Sequence, residues 1–515
     1  MSDNKNISDQ HIARLSKFIS EHLGLYFPGK RLDDLRNKFY LAAMKFGFSN
    51  PDACVEWLLS SQLTQEQIEI LSSHLTVGET HFYRDKPIYD SLEKFILPEI
   101  INARKKQGRY IRIWSAGCSS GEEPYSVAIL LHKMLPDITD WNISIIATDI
   151  NQKALESARK GIYRKWSFRT TPEWMKDGYF IKNKEDSYTI TPSIKNMVSF
   201  SYHNLAKDPF PSLINNTTAM DIIFCRNVIM YFHPKLAHRI IHLFHRSLID
   251  GGWLIVSGSE GYMVHRSRFV TVSFPDAIFF RKDLSKSGEI ETTGTTKTDF
   301  TAELDTTLPI PGSTPTAATG KKESGIRQIR SPALHTSSET DAVRQASVLY
   351  SQGNYQDAES ILTEYLSSDK ENPEAVSLLA KIFSNRGQFD KATELCLKGI
   401  EADKCNPAFY YLLGLIYREQ GKTDEAISSL HSSIYLDSAH VLSHYLLGSI
   451  LFQQGDVKRA GKYFNNALSL LNCFDKDSIL PGSDGISAGR LIEIMEMKSH
   501  SDKNRYQTER TGWGN

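Results

Sequence analysis

The sequence predicts an α/β fold built on a doubly wound sheet, with a small all-α domain before it and an all-α superhelix after it. Three observations carry this reading. Between residues 110 and 257, short apolar runs alternate with helical stretches, and several of the runs end in a polar residue. Residues 8–76 carry apolar side chains at helical spacing. Beyond residue 340, small residues recur at a step of 34.

In the first region, Ile12, Leu15, Ile19 and Leu23 share one helical face, and Leu32, Leu35, Phe39 and Met44 another. Lys30, Arg31, Arg36, Lys38 and Lys45 outweigh Asp33 and Asp34 there, so this helix is modestly basic. Such charge either solvates a surface or docks an acidic partner.

The most informative segment is Arg112-Ile113-Trp114-Ser115-Ala116-Gly117-Cys118-Ser119-Ser120-Gly121-Glu122-Glu123. It reads as a buried strand, a loop whose glycines let a ligand approach the backbone, and a helix that opens on two carboxylates. A phosphate site would keep acids from that mouth, because the amide groups and the helix dipole already favour an anion. Acids suit a ligand with hydroxyl and ammonium donors, and S-adenosylmethionine has both. The dinucleotide spacing G-x-G-x-x-G is absent. A second strand, Asn142 to Asp149, ends in an acid that either accepts from two ribose hydroxyls or caps the helix beginning near Gln152. A third, Val198 to Tyr202, leads into His203-Asn204-Leu205. A fourth, Asp221 to Phe224, runs into Cys225-Arg226-Asn227-Val228, and Gly251-Gly252 turn into a strand from Trp253 to Ser257. Asp149, Asn204 and Asn227 thus fall at the carboxyl ends of strands, where open α/β sheets bind ligands.

Taken in order, Gly78-Glu79-Thr80-His81-Phe82-Tyr83-Arg84, Ser120-Gly121-Glu122-Glu123-Pro124-Tyr125-Ser126, Ala147-Thr148-Asp149-Ile150, Cys225-Arg226-Asn227-Val228 with Tyr231-Phe232, and Ser259-Glu260 resemble the CheR family. These are chemotaxis protein-glutamate O-methyltransferases, which use S-adenosylmethionine and release S-adenosylhomocysteine. The resemblance spans about residues 8–283. It implies a helical N-terminal domain at 8–76 and a class I methyltransferase domain at 77–283. It also implies a small β-subdomain at 163–194, which in some members grips a peptide at a receptor's C-terminus. For the site, it implies Thr80 and Arg84 over the methionine end of the cofactor, and Glu123 and Asp149 on its amino-acid and ribose parts. Asn204, Leu205, Cys225 and Arg226 would line the adenine side, with Asn227 among the contacts. Gly78 stands where some members carry Asn, which leaves only backbone to make that contact. Arg84 and Tyr231 would meet the methyl group and the incoming carboxylate. The implied substrate is the cytoplasmic helical bundle of a methyl-accepting receptor.

The chemistry agrees. A glutamate carboxylate has an ordinary pKa near 4.3, so it is a nucleophile at neutral pH without a general base. The motifs hold no Ser/His/Asp arrangement. Catalysis then rests on holding oxygen, methyl and sulfur in line. Arg84 orients the carboxylate and Tyr231 fixes the donor or the second oxygen; the plainer roles are a surface ion pair and a core aromatic.

Composition excludes several classes. The 515 residues balance 60 Lys+Arg against 60 Asp+Glu, which indicates no general affinity for nucleic acid or acidic lipid. The 6 cysteines show no C-x-x-C spacing, so neither a disulfide scaffold nor a metal site is expected. His238, His242 and His245 lie on one helix, but Ile240, Ile241, Leu243, Phe244 and Leu248 make that helix an ordinary amphipathic one with exposed histidines. No apolar run reaches membrane-spanning length and the N-terminus shows no signal core, so a soluble, cytoplasmic protein is expected.

Residues 284–338 are rich in Thr, Ser, Gly and Pro and read as a disordered linker. A flexible chain of that length spans roughly 40 Å, so the flanking domains are expected to move independently. Over 340–472, Gly353, Gly387, Gly421 and Gly455 keep the step of 34, as do Ala358, Ala392, Ala426 and Ala460. Ala346, Ala380, Gly414 and Gly448 follow the same step, which is the tetratricopeptide period, about four repeats long. The tail, 473–515, reads as polar and loose apart from a helix near 488–498. The repeats point to an unidentified protein or peptide in their groove. The competing reading of the whole chain is a weakly catalytic or non-catalytic repeat scaffold in a chemosensory complex.

Overall fold

The computed structural model describes residues 7–60, 63–106, 108–285, 339–368 and 372–495. The N-terminal unit packs the helices Asp9–Leu23, Arg31–Lys45, Pro51–Leu59 and Gln65–Leu75. Ser8 caps the first by accepting from the amide of His11, and Thr64 and Gln67 form a capping box on the last. The first helix buries Ile12, Leu15, Ile19 and Leu23. The second buries Leu35, Phe39, Ala42 and Ala43, whereas Met44 is 52% exposed. The predicted second face is corrected there, because the stripe through Leu35 and Phe39 continues onto the two alanines and Met44 lies past its edge.

Ten strands follow, β1 (Tyr110–Ala116), β2 (Asn142–Asp149), β3 (Ile162–Arg164), β4 (Phe180–Lys182), β5 (Ser187–Ile190), β6 (Val198–Tyr202), β7 (Met220–Phe224), β8 (Leu248–Ile255), β9 (Val270–Phe274) and β10 (Ala277–Arg281). The main sheet has seven strands in the order β6-β2-β1-β7-β8-β10-β9. Its first five are parallel, and β10 and β9 close the edge antiparallel. The winding reverses between β1 and β7, the switch point where such sheets open a crevice. Register puts Ala116 level with Thr148 and Ser115 level with Phe224, so Gly117, Asp149 and Cys225 emerge side by side. Helix Pro234–Ser247 covers one face with Ile240, Ile241 and Phe244. His245 on that helix is 6% exposed and edge-on to Phe269, not one of the exposed histidines expected.

The separate three-stranded sheet, β3-β5-β4, is antiparallel. Phe82 stacks on Phe168 beside it, with ring centroids 5.1 Å apart, and its amide donates to the Ser167 carbonyl at 2.9 Å. The segment that carries Arg84 is pinned in this way.

The expected linker lies outside the described residues from 286 onward. Beyond it, helix pairs run from Glu339–Gln352 and Tyr355–Ser368 to Val441–Gln453 and Val457–Leu471. A Cβ on Gly414 would lie 2.8 Å from Leu430, and one on Gly448 the same distance from Phe464, so small residues at these crossings let paired helices close. Gly353, Gly387, Gly421 and Gly455 end the first helix of each pair at positive φ, between 71° and 85°.

Independent motion of the flanking domains is corrected by how these turns pack. Gly353 lies against Arg246, Gly387 near Ile249 and Ala219, and Gly421 against Asn142, all on the sheet's amino-terminal edge. The Tyr110 hydroxyl donates to the Gly387 carbonyl at 3.0 Å. Arg112 of β1 pairs with Glu419, the two side chains being 1% and 0% exposed. Arg418 donates to the Leu213 and Ile214 carbonyls. In the tail the helix expected near 488–498 is present as far as residue 495, and the residues before it are packed, not loose. Leu480, Ile486, Ala488, Leu491 and Met495 are all buried, and residues 488–495 form a helix; residues past 495 lie outside the described set. Among the described residues, no helix is long and apolar enough to cross a membrane.

Candidate active site

A cavity of about 300 Å³ opens at the carboxyl ends of β1, β2, β6 and β7, with Leu23, Phe27 and Arg31 of the N-terminal unit on its wall. The unit is tied there by the amide of Tyr26, which donates to the Tyr231 carbonyl at 2.8 Å, and by the Asn204 side-chain amide, which donates to the His22 carbonyl at 2.9 Å.

Gly117 and Gly121 have φ of 87° and 92°. A Cβ on Gly121 would lie 2.9 Å from Ala158, and one on Gly117 would overlap Val228, so no side chain narrows the loop. Asp149 takes the Ser119 amide on one oxygen and the Asn151 amide on the other, both at 2.8 Å. A carboxylate has about four acceptor positions, so beyond these amides it keeps acceptor capacity for a ribose. Burial pushes this carboxyl up while the amides of Asn151, Ser119 and Ile150 hold it down.

Only one of the two helix-opening acids reaches the cavity. Glu122 turns away to the Ser120 and Ser167 hydroxyls, at 2.7 and 3.1 Å. Glu123 lines the cavity, accepts from the Ser115 hydroxyl at 2.8 Å and pairs with Arg226 at 3.3 Å. Arg226 also pairs with Asp85 and donates to the Arg84 carbonyl at 2.9 Å. The structure therefore places Arg226 with Glu123 and Arg84, on the wall of the same cavity as Asn204 and Leu205. Cys225 is set apart from the cavity lining. Its side chain is fully buried beneath the cavity and off its wall, and burial drives its thiol upward.

Gly78, Thr80, Arg84, Asn204, Leu205, Asn227 and Tyr231 all line the cavity. The Gly78 carbonyl accepts from the Ser119 hydroxyl at 3.1 Å. Arg84 is flanked by Tyr83 and Asp85, at φ of 59° and 65°, and donates to the Glu79 carbonyl at 3.0 Å. Two left-handed non-glycine residues in three are strained backbone kept at a site, and they aim the guanidinium. The Arg31 guanidinium lies 5.3 Å from the Tyr231 ring centroid. Arg31, His81 and Glu260 are site residues that sequence reasoning gave no such role. Burial, with Arg169 and Arg84, lowers His81 to about 4, so its ring on the cavity wall is neutral. Glu260 accepts from the amides of Asn227, Val228 and Met230 and from both the amide and the hydroxyl of Ser257. It thereby holds the turn that carries Asn227, at φ 58°, and leads to Tyr231. Its signal in the sequence was the Ser259-Glu260 pair that follows the last parallel strand, which gave it no such role.

A doubly wound sheet with an acid of this kind after the second strand and a glycine-lined loop opening on acids defines an enzyme that binds a nucleoside-bearing donor. The donor set fits S-adenosylmethionine. Asp149 offers paired acceptors, Glu123 offers a carboxylate at the other end, and Leu205 and Phe232 offer apolar wall. Residues 78–278 match the CheR methyltransferase, SAM binding domain family, and residues 349–416 and 411–471 match two tetratricopeptide repeat families. The chain is 30% identical over 262 residues to a chemotaxis protein methyltransferase of Borreliella burgdorferi, covering 50% of this chain and 90% of that protein. It is 35% identical over 202 residues to chemotaxis protein methyltransferase 2 of Vibrio cholerae, covering 39% of this chain and 68% of that one. The chain belongs to the CheR methyltransferase family, with tetratricopeptide repeats attached, and is an S-adenosylmethionine-dependent methyltransferase.

Proposed function

We propose that this chain methylates glutamate side chains on the cytoplasmic helical bundle of a methyl-accepting receptor, giving the methyl ester and S-adenosylhomocysteine, and that its repeats recruit a protein partner. The observation that carries this is the cationic, base-free mouth of the cavity. Arg31 lies over the Tyr231 ring and Arg84 lines the same cavity, and of the two imidazoles on its wall among the described residues, His81 is lowered to about 4 and His203 is lowered by burial. An anionic nucleophile needs attraction and orientation there, not deprotonation. The relatives are named for chemotaxis, which agrees with a receptor substrate.

In this reading Asp149 takes the ribose hydroxyls, Glu123 the donor's ammonium, and Asn204 and Leu205 flank the adenine. Bound S-adenosylmethionine supplies an activated methyl on a sulfonium. Arg84 draws the glutamate carboxylate into line, and its bond to the Glu79 carbonyl fixes where the guanidinium stands. The Tyr231 hydroxyl fixes the second oxygen. Arg226 holds Glu123 in place. Esterification removes negative charge from a helical bundle and shifts its signalling equilibrium. The protein works in the cytoplasm, where such bundles lie.

The test pairs calorimetry with methyl transfer. S-adenosylhomocysteine should bind the wild type and not Asp149→Ala. Labelled methyl should pass to receptor cytoplasmic fragments and leave as methanol in mild base, as an ester does. Base-stable label on the receptor would overturn the glutamate assignment.

A further inference from the structure

The first helices of successive repeats line an inner face, and residues 478–490 of the same chain occupy it. The Asp484 carboxylate lies 3.5 Å from Lys381 on helix Pro373–Asn385, with side-chain exposures of 11% and 18%. Tyr350, on helix Glu339–Gln352, and Tyr411, on helix Pro407–Glu419, are pushed up by burial and then by the Asp484 charge. Gly482 reaches Leu442 on helix Val441–Gln453. One acidic turn therefore faces the first helix of every repeat pair. The turn is built for this. Gly482, Asp484 and Gly485 have φ of 75°, 54° and 100°, and the Leu480 amide closes on the Ile486 carbonyl at 3.0 Å. Leu480 and Ile486, at 2% and 1% exposed, are aliphatic anchors on either side of the acid.

Six residues further on, Arg490 forks onto Asp208, with Nε at 2.5 Å from one oxygen and Nη2 at 2.9 Å from the other. Its guanidinium stands 5.2 Å from the Tyr202 ring centroid. The Asp208 side chain is 2% exposed. It accepts the Asn204 amide at 2.7 Å, and its own amide donates to the Asn204 carbonyl at 2.8 Å. Asn204 and Leu205 form the cavity wall. A continuous line of contacts thus runs from the repeat groove to the cofactor site.

We infer that residues 478–490 are a ligand of the repeat groove supplied by the chain itself, standing where a protein partner docks with the same chemistry, an exposed turn bearing one acid between aliphatic anchors. Seating that partner draws Arg490 off Asp208 and weakens S-adenosylmethionine binding. Arg490 is then a positioning residue for the cofactor, acting through Asp208 and Asn204. The inference rests on the cofactor reading above and deepens it.

The test is calorimetric titration of the full chain with S-adenosylhomocysteine. Arg490→Ala should weaken binding about tenfold, the cost of one charge-assisted contact, and Arg490→Lys should recover part of it. Turnover at saturating donor should be unchanged while the KM for donor rises. A synthetic peptide of residues 478–488, which lacks Arg490, should bind the wild type and lower its affinity toward that of Arg490→Ala, yet change nothing further in Arg490→Ala. Should Arg490→Ala not fold, Asp484→Ala, which leaves the buried ion pair intact, should show the same loss to a smaller degree. Affinity within twofold of wild type in these variants, or peptide binding without a change in affinity, overturns the inference. A wild type that binds no S-adenosylhomocysteine overturns the cofactor reading instead.

Discussion

Replacing Glu419 by Gln removes one charge from an ion pair that neither solvent nor salt reaches. Arg112 and Glu419 are 1% and 0% exposed, and burial already lowers the Arg112 guanidinium against the pull of Glu419. In Glu419→Gln the guanidinium keeps the Thr218 and Asn216 carbonyls at 3.2 Å and the nearby Asp221, which is itself shared with Arg104 at 2.6 Å. Breaking a buried pair from one side costs about 3–5 kcal/mol. The remaining partners put this case near the lower end, about 3 kcal/mol. Because the pair joins the sheet to the third repeat, the loss falls on the docking of one unit against the other. Calorimetric unfolding should change from a single transition to two, and the radius of gyration in solution should rise. Arg112→Met combined with Glu419→Leu should recover much of the loss, because an apolar pair strands no charge. A Glu419→Gln chain that loses under about 1 kcal/mol and still unfolds in one step would refute the argument, since that is the range of an exposed pair.

Three further outcomes are expected. Arg84→Ala should lower kcat on receptor fragments by about a hundredfold, the scale of a misplaced nucleophile, and leave S-adenosylhomocysteine affinity within a few fold; undiminished turnover removes Arg84 from the mechanism. Glu260→Gln turns an amide NH₂ toward backbone donors of the Asn227 turn, so thermal unfolding should register a loss of about 2 kcal/mol together with weaker turnover, and an unchanged melting temperature would count against its role. Lys282 is lowered by burial from 10.5 to about 8, so between those values the folded chain holds fewer protons there than the unfolded chain, and wild-type stability rises with pH. Below pH 8, Lys282→Met should be more stable than wild type by up to about 3 kcal/mol, an advantage that denaturant titration should find gone by pH 10.5.

The features legible in the sequence are those whose chemistry is local. Gly117 and Asp149 stand within a residue of strand ends, so a strand assignment already places them at the cavity. The step of 34 needs no tertiary knowledge, because each small residue is explained inside its own helix pair. What stayed hidden depends on distant partners. Arg226 follows a strand like its neighbours, but its direction is set by Asp85, which lies 141 positions away. Arg112 read as part of a strand, and its partner Glu419 comes 307 positions later. The helix near 488–498 was legible from Ala488, Leu491 and Met495, but Leu480 and Ile486 follow neither a helical nor a strand period; they anchor a turn against a surface that only the fold creates.

The repeats touch the catalytic unit with the corners between helices, not with their inner face. Gly353, Gly387 and Gly421 carry that seam, while a Cβ on Gly455 would meet nothing within 4 Å. A fifth repeat placed after the fourth would leave these three corners as they are, provided that residues 478–490 kept their place in the groove. A residue inserted between Gly353 and Gly421 would throw the corners out of step with the sheet. The array is therefore free to lengthen at one end and fixed in spacing at the other, so what the protein recruits can diversify without disturbing how the recruiter is mounted.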